Sequence, residues 1–473
     1  MIPLPAAGTL AGEVARAALL AFGFGLVLLG TELWYRRAHP PVEWTRKTLH
    51  VAFGLAAAAL PWIIRSHWTF LALAVVTVLP LHWAGRTGHL PSLFDVERRS
   101  RGEVYFPLGV YLLFVVARDH PVFYLISLIS LVLCDALAAV LGSSYGRHRY
   151  QVHLGHRSLE GSAVFFVLSF IGTLLPLLLL TTIDRGTCVM ISLQLALLVT
   201  SFEAISPGGS DNLVLPLGTY YLLVKLTPTG SAAIGLQLAA QLGILAGMLL
   251  VAWRTRFLTF SGAIAAHLVL YAAFSLGGPP WTVAPAMTLA ALLALDRVHH
   301  RRLASPSEGH DVRTIFYVAI VATLWIFADN SFATMIPGSG PLRSGHPFHA
   351  LFVGALAASL AVITYWTLEH MPRLRQRPPG YRAVVAISLA CAVVALPGLW
   401  ALGGDRAGRD FGIAAIICVL GLAADRALRP LVWRAGAGPW ELRRLAFGVL
   451  LATLIVLPLH LWSQGIEARA LLP

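Results

Sequence analysis

An aspartate, Asp135, lies near the middle of a membrane-length apolar run, and a loop of basic and hydroxyl side chains comes after it, in the stretch LCDALAAVLGSSYGRHRYQVHLGHRSLEGS from Leu133 to Ser162. An acid at the centre of a membrane helix costs roughly 2.5 to 3.5 kcal/mol, so it belongs against protein, water or a cation and is a functional candidate by default. Asp135, Ala138, Ala139, Gly142 and Gly146 recur on a three- and four-residue spacing, which gives one helical face a carboxylate and then only small side chains. Either a ligand or a neighbouring helix can approach such a face closely, and ordinary packing of transmembrane helices accounts for the glycines taken alone. It does not account for the polar residues beyond them. Ser158 is placed to cap the next helix, with Glu160, Gly161 and Ser162 in its first turn. Free backbone N–H groups, hydroxyls and the helix dipole make such a terminus a phosphate site, and Arg157 adds a donor able to grip phosphate by two bonds.

Three more polar clusters accompany this one. Arg46, Lys47 and His50, with Gly54 just beyond, open an apolar segment, and their three- and four-residue spacing puts them on one helical face. Cations there can hold phosphate oxygens or can simply anchor a helix at the membrane surface. In RRSRGEVYFP, from Arg98 to Pro107, Glu103 precedes a helix, where the dipole alone favours an acid. In SFEAISPGGSDNLVLP, Glu203 ends one helix while Asp211 and Asn212 begin the next, across a Pro-Gly-Gly turn. Asp211 taken singly reads as a helix cap. Two acids and an amide together are oxygen ligands suited to Mg2+, which takes one or two protein carboxylates and leaves its other positions to water and phosphate.

The elements that position these clusters can be read from composition. Of 473 residues, 57% are hydrophobic and 12% charged, with mean hydropathy +0.74, which is the make-up of a polytopic membrane protein. The apolar runs approach 20 residues and do not alternate, so the chain is expected to be all-α, a transmembrane helical bundle and not a barrel. About sixteen spans are expected, near 10–33, 48–64, 69–84, 105–117, 121–142, 161–180, 187–205, 212–225, 231–251, 258–278, 281–295, 314–332, 347–368, 383–402, 409–424 and 445–463. The first is read as a span because no basic region precedes it as in a cleaved signal.

Arg and Lys then gather in every second loop, and the positive-inside rule makes those loops cytoplasmic and both termini non-cytoplasmic. The one such loop without Lys or Arg lies between Glu203 and Asp211. This distribution, and not nucleic-acid binding, explains the net charge of +13. Cys134, Cys188, Cys391 and Cys418 sit singly in apolar runs and read as core residues, neither disulfides nor a zinc site. The arginine-rich composition points to a bacterial cytoplasmic membrane. Two halves are expected, 1–253 and 254–473, with nearly all motif-like polar residues in the first.

Arg46-Lys47-x-x-His50, Asp135-x-x-Ala138-x-x-x-Gly142-x-x-x-Gly146, Ser158-x-Glu160-Gly161-Ser162 and Glu203 with Asp211-Asn212-x-x-x-Pro216 after it resemble the dolichol kinase and phytol kinase family. The similarity covers about residues 40 to 225, and GEVYFPL at 102–108 brings the phytol kinase branch nearer. Arg157 stands where that family usually has Lys, a change that keeps the charge but not the point contact. The resemblance implies a membrane enzyme that phosphorylates an isoprenoid alcohol drawn from the bilayer, typically with CTP, at the cytoplasmic face. It implies catalytic roles for Asp135, Glu160, Lys47 and His50. Nucleotide phosphates would lie on Arg46, Gly142, Gly146, Arg157, Ser158, Gly161 and Ser162, and Mg2+ on Asp135, Glu203, Asp211 and Asn212.

Two other functions are open: cytidylyl transfer to a lipid phosphate, as in the related CDP-diacylglycerol synthases, which would use similar parts, and transport, suggested by sixteen spans and buried acids such as Asp329. In the second half, Leu258 to Ala266 with Gly277, Gly278 and Trp281 faintly resembles the start of the phytyl-phosphate kinase family, but the acidic motif expected further along that family is not evident, Asp329-Asn330 being the one comparable acidic pair inside a span. A lipid-binding or scaffold role is expected there ahead of a second active site.

Overall fold

The computed structural model describes residues 10–94, 102–152, 155–206, 209–303, 309–335, 346–402, 407–432 and 439–463. The long apolar runs fold as helices, because backbone groups removed from water are satisfied within one segment only in this way. The described residues form two units, 1–239 and 240–473.

In the first unit the long helices are α1 (Leu10–Ala38), α2 (Val42–Ala58), α3 (His67–Thr87), α4 (Gly102–Val116), α5 (Pro121–Tyr145), α6 (Leu159–Leu180), α7 (Arg185–Ile205), α8 (Asp211–Leu226) and α9 (Ser231–Thr255). The second unit takes over within α9. It contains α10 (Phe260–Gly277), α11 (Val283–Leu303), α12 (Val312–Met335), α13 (His349–His370), α14 (Pro379–Leu402), α15 (Ala407–Val432) and α16 (Pro439–Ser463). Each of the sixteen expected segments therefore meets a helix. Thirteen are long and apolar enough to cross a membrane, and the chain is an integral membrane protein. The exceptions are α2, α4 and α8, of 17, 15 and 16 residues.

The helix starts are chemically specified. Ser158 accepts a hydrogen bond from the Gly161 N–H at 3.1 Å, Asp184 from Thr187 at 3.0 Å and Thr259 from Gly262 at 3.1 Å, each satisfying an amide that the helix cannot. Among the described residues one pair of strands interrupts the helices, beside an isolated bridge between Leu258 and His310. Arg149–Val152 (β1) and Gly155–Ser158 (β2) pair antiparallel, so the basic loop before α6 is a hairpin. Gly155, at φ +136°, begins the returning strand in a conformation that a side chain would strain.

Packing in the first unit forms two apolar cores. One joins α2 to α5 through Leu60, Phe70, Leu113, Phe114 and Tyr124; the Phe70 and Phe114 rings stack at 5.0 Å, and the Tyr124 hydroxyl donates to the Ala57 carbonyl at 2.8 Å. The other joins α5 to α8 through Phe165, Leu177, Ile191, Leu195, Leu215 and Leu223. Glycines let backbones touch. A Cβ on Gly54 would collide with Val132, and one on Gly109 with the Asn212 carbonyl, so α2 meets α5 and α4 meets α8 at closest approach. In the second unit α13 is buried along most of its length. All four cysteines are buried, as their apolar surroundings predict.

Candidate active site

Asp135 is held in α5 directly after a π turn, Ser130–Cys134. Such a turn adds a residue to the helical repeat and rotates the part of the helix beyond it, and it recurs at functional positions. Asp135 is 7% exposed, and its carboxylate pairs with the ammonium of Lys47, a residue also 7% exposed, from the first turns of α2. His50, one turn further along α2, places Nε2 at 3.7 Å from the same carboxylate and 2.9 Å from the Leu131 carbonyl. That carbonyl lies inside the π turn, whose irregular backbone leaves it a non-helical partner. The acid inside the apolar run therefore faces cations, as its cost in lipid requires. Arg46 turns instead to Glu43 at 3.1 Å, within electrostatic reach of Asp135 and Asp211.

The small-residue face beyond Asp135 receives the start of α6. A Cβ on Gly142 would stand 3.0 Å from both Gly161 Cα and Ser158 Oγ, and one on Gly146 would collide with the Gly142 carbonyl and Ser158. Ser158 Oγ also donates to the Gly142 carbonyl at 3.3 Å. The two glycines thus seat the capped terminus of α6 against α5. Glu160 accepts from the His148 amide at 3.1 Å and from its ring Nδ1 at 2.7 Å, and Ser162 shares a hydrogen bond with Tyr150 at 2.9 Å.

Arg157, at the end of β2, reaches across to two further helices. Its guanidinium pairs with Glu203 at the end of α7, lies 3.4 Å from Asp211 Oδ2 at the start of α8, and donates to the Ser206 carbonyl at 3.4 Å. Asp211 Oδ1 accepts from the Asn212 amide at 3.0 Å, and the Asn212 side chain donates to the Gly209 carbonyl at 3.2 Å. The cations assigned to phosphate and the acids assigned to metal are therefore each other's partners: Lys47 with Asp135, and Arg157 with Glu203 and Asp211. Among the described residues no three His, Cys, Asp or Glu side chains cluster tightly enough to hold a metal unaided. The acids as a set, all oxygen donors, suit a hard cation that brings phosphate and water as its remaining ligands.

Of the expected site residues, Lys47, His50 and Asp135 form one group, Gly142, Gly146, Ser158 and Gly161 a second, and Arg157, Glu203 and Asp211 a third. Arg98, Arg99 and Arg101 of the remaining cluster lie outside the described residues, as do Pro207, Gly208 and the side chain of Glu103. Sequence reasoning missed His148 and Tyr150, the hairpin partners of Glu160 and Ser162. Gly155 and the flanking short runs were the available signal for a hairpin.

A helical membrane protein with ionic groups at the ends of α2, α6, α7 and α8 and within α5 is the class that fold and site define. No protein-family model matches the chain, and no solved structure matches it. A phytol kinase of Synechocystis sp. is 31% identical over 206 residues, which is 42% of this chain and 87% of that relative. The chain belongs to the phytol kinase family.

Proposed function

We propose that this protein phosphorylates an isoprenoid alcohol of the phytol, geranylgeraniol or polyprenol type, taking the phosphoryl group from CTP at the cytoplasmic face of a bacterial inner membrane. The observation that carries this reading is the ion pair of Lys47 with Asp135, with His50 beside it, buried in a span of a chain related to a phytol kinase. A carboxylate kept charged in an apolar span is a proton acceptor within reach of an alcohol that arrives through the bilayer.

In the proposed reaction the alcohol oxygen attacks the γ-phosphorus of the donor. The bond from that phosphorus to the β–γ bridging oxygen breaks, CDP leaves, and the hydroxyl proton passes to Asp135. Lys47 neutralises Asp135 and stands ready for phosphate charge, and His50 orients the carboxylate. Arg157 and the capped start of α6 face the nucleotide phosphates, with Glu160 and Ser162 fixing the hairpin over them. Mg2+ fits the oxygen donors of Asp135, Glu203, Asp211 and Asn212, and when bound it would offset charge on the phosphate oxygens. Catalysis of this kind rests on placement and charge neutralisation, which suits a site built almost wholly from ion pairs. Residues 1–253 carry the reaction in this reading, and 254–473 bind lipid or act as a scaffold.

The test is transfer of label from γ-labelled CTP, ATP, GTP and UTP to phytol, geranylgeraniol and a longer polyprenol in liposomes, with Mg2+ or with EDTA. Label in the lipid only with Mg2+, greatest from CTP, is expected. Pyrophosphate release with phosphatidate, and no labelled alcohol, would overturn the proposal.

A further inference from the structure

Around Tyr365 in the second unit, the ends of four helices bring together more positive charge than the acids there can balance. Tyr365, Trp366 and Glu369 lie in the last turns of α13, Arg382 near the start of α14, Asp425, Arg426 and Arg429 in the last turns of α15, and Arg444 near the start of α16. The Tyr365 ring is 1% exposed, and the guanidinium carbons of Arg382, Arg426 and Arg429 stand 5.6, 5.5 and 5.7 Å from its centre. One cation over an aromatic ring is favourable; three on the same ring repel one another.

The acids are already committed. Asp425, fully buried, accepts from Arg444 Nε at 2.7 Å and from Trp366 Nε1 at 3.0 Å. Glu369 accepts two hydrogen bonds from Arg429, at 3.1 and 2.8 Å. Among the described residues neither Arg382 nor Arg426 has a carboxylate partner. Arg382 is 9% exposed, and its Nε is buried with no hydrogen-bond partner. A buried guanidinium with an unused donor is costly, and Arg382 also stands near a helix N-terminus, where the dipole opposes a cation and favours an anion. The chain just before α14 adds Arg373, Arg375 and Arg377.

We infer that this cluster is a binding site for the phosphate of an anionic membrane lipid. Arg382 and Arg426 grip the phosphate, Arg429 and Arg444 are fixed by their acids, and Tyr365 holds the three guanidinium groups in place. Because the cluster sits at helix ends, where spans meet the headgroup layer, a lipid can present its phosphate there without leaving the bilayer.

The experiment uses the full chain in phosphatidylcholine nanodiscs with phosphatidic acid titrated in, retained lipid being counted by native mass spectrometry. Phosphatidate is expected to bind with preference over phosphatidylcholine. Arg426→Gln, at an exposed position, should weaken that binding about tenfold, since each such contact is a charge-assisted hydrogen bond. The Arg382→Gln, Arg426→Gln double variant should lose it, and Arg254→Gln in the last turn of α9 should leave it unchanged. Wild-type binding by Arg426→Gln would overturn the inference, and that variant decides the matter even if the double variant does not fold. Displacement of phosphatidate by millimolar inorganic phosphate would reassign the site to a soluble ligand.

Discussion

At the residue scale, the proposed reaction makes the pair of Lys47 and Asp135 answer for catalysis and stability together. Removing one partner leaves a charge buried in an apolar span, at a cost of about 3 to 5 kcal/mol, whereas replacing both with apolar groups of similar volume is close to neutral. Asp135→Ala and Lys47→Met should each lower the thermal midpoint and abolish phosphoryl transfer, while Lys47→Met combined with Asp135→Leu should recover the midpoint but not the activity. A double variant that transfers phosphate would remove Asp135 from the chemistry. Arg157 invites a different test, because its planar guanidinium touches Glu203 and Asp211 together, which a lysine ammonium does not reproduce. Arg157→Lys should therefore fold, keep transferring phosphate, and raise the KM for nucleotide about tenfold, as loss of one charge-assisted bond implies. Steady-state kinetics with nucleotide varied would show this, and an unchanged KM would mean that Arg157 only staples α7 to α8.

At the scale of elements, the features readable in the sequence and those hidden from it divide along physical lines. Apolar runs announce membrane helices because lipid leaves the backbone no other choice, so every expected segment met a helix. The Ser158 cap was readable because a hydroxyl before a helix start has one dominant use. The π turn before Asp135 was not, since nothing in Ser130 to Cys134 sets that stretch apart from the rest of the membrane helix, and the turn is seen only where it lies against α2 and α6. Nor was it readable that Arg157 would choose Glu203, 46 positions away, because ion-pair choice depends on how α7 and α8 are placed. Gly109 shows that dependence in reverse. Its missing Cβ lets α4 touch the Asn212 carbonyl, so Gly109→Ala must push α4 from the start of α8, costing about 1 to 3 kcal/mol as overpacking does. Because Asp211 begins that helix, the variant should lose phosphoryl transfer out of proportion to its small loss of thermal stability. Proportionate losses would show that the α4 contact is structural only.

At the scale of the whole molecule, the two units can be made to report separately. In the second, His346 outside the spans donates to Asp329 at 2.8 Å, and this bond raises the imidazole above its ordinary value of 6.5. A group whose pKa is higher folded than unfolded contributes stability that is complete below the unfolded value and lost as pH rises through the folded one. The thermal midpoint should thus fall as pH rises above 6.5 by an amount that His346→Gln removes, and an identical slope in the variant would dismiss the pair as a pH-sensitive tie. The matched relative aligns over 87% of its length with fewer than half of this chain's residues, so a unit the size of the first has room for a whole enzyme of that kind. The fragment 1–255 keeps α9 intact and every ionic contact around Asp135, Arg157 and Asp211. Expressed alone in the same membrane, it should transfer phosphate to isoprenoid alcohol within about threefold of the full chain per folded molecule, a difference of under 1 kcal/mol in the barrier. A fragment that melts cooperatively yet transfers nothing would mean that the second unit supplies part of the reaction itself, and the lipid or scaffold role proposed for it would have to be given up.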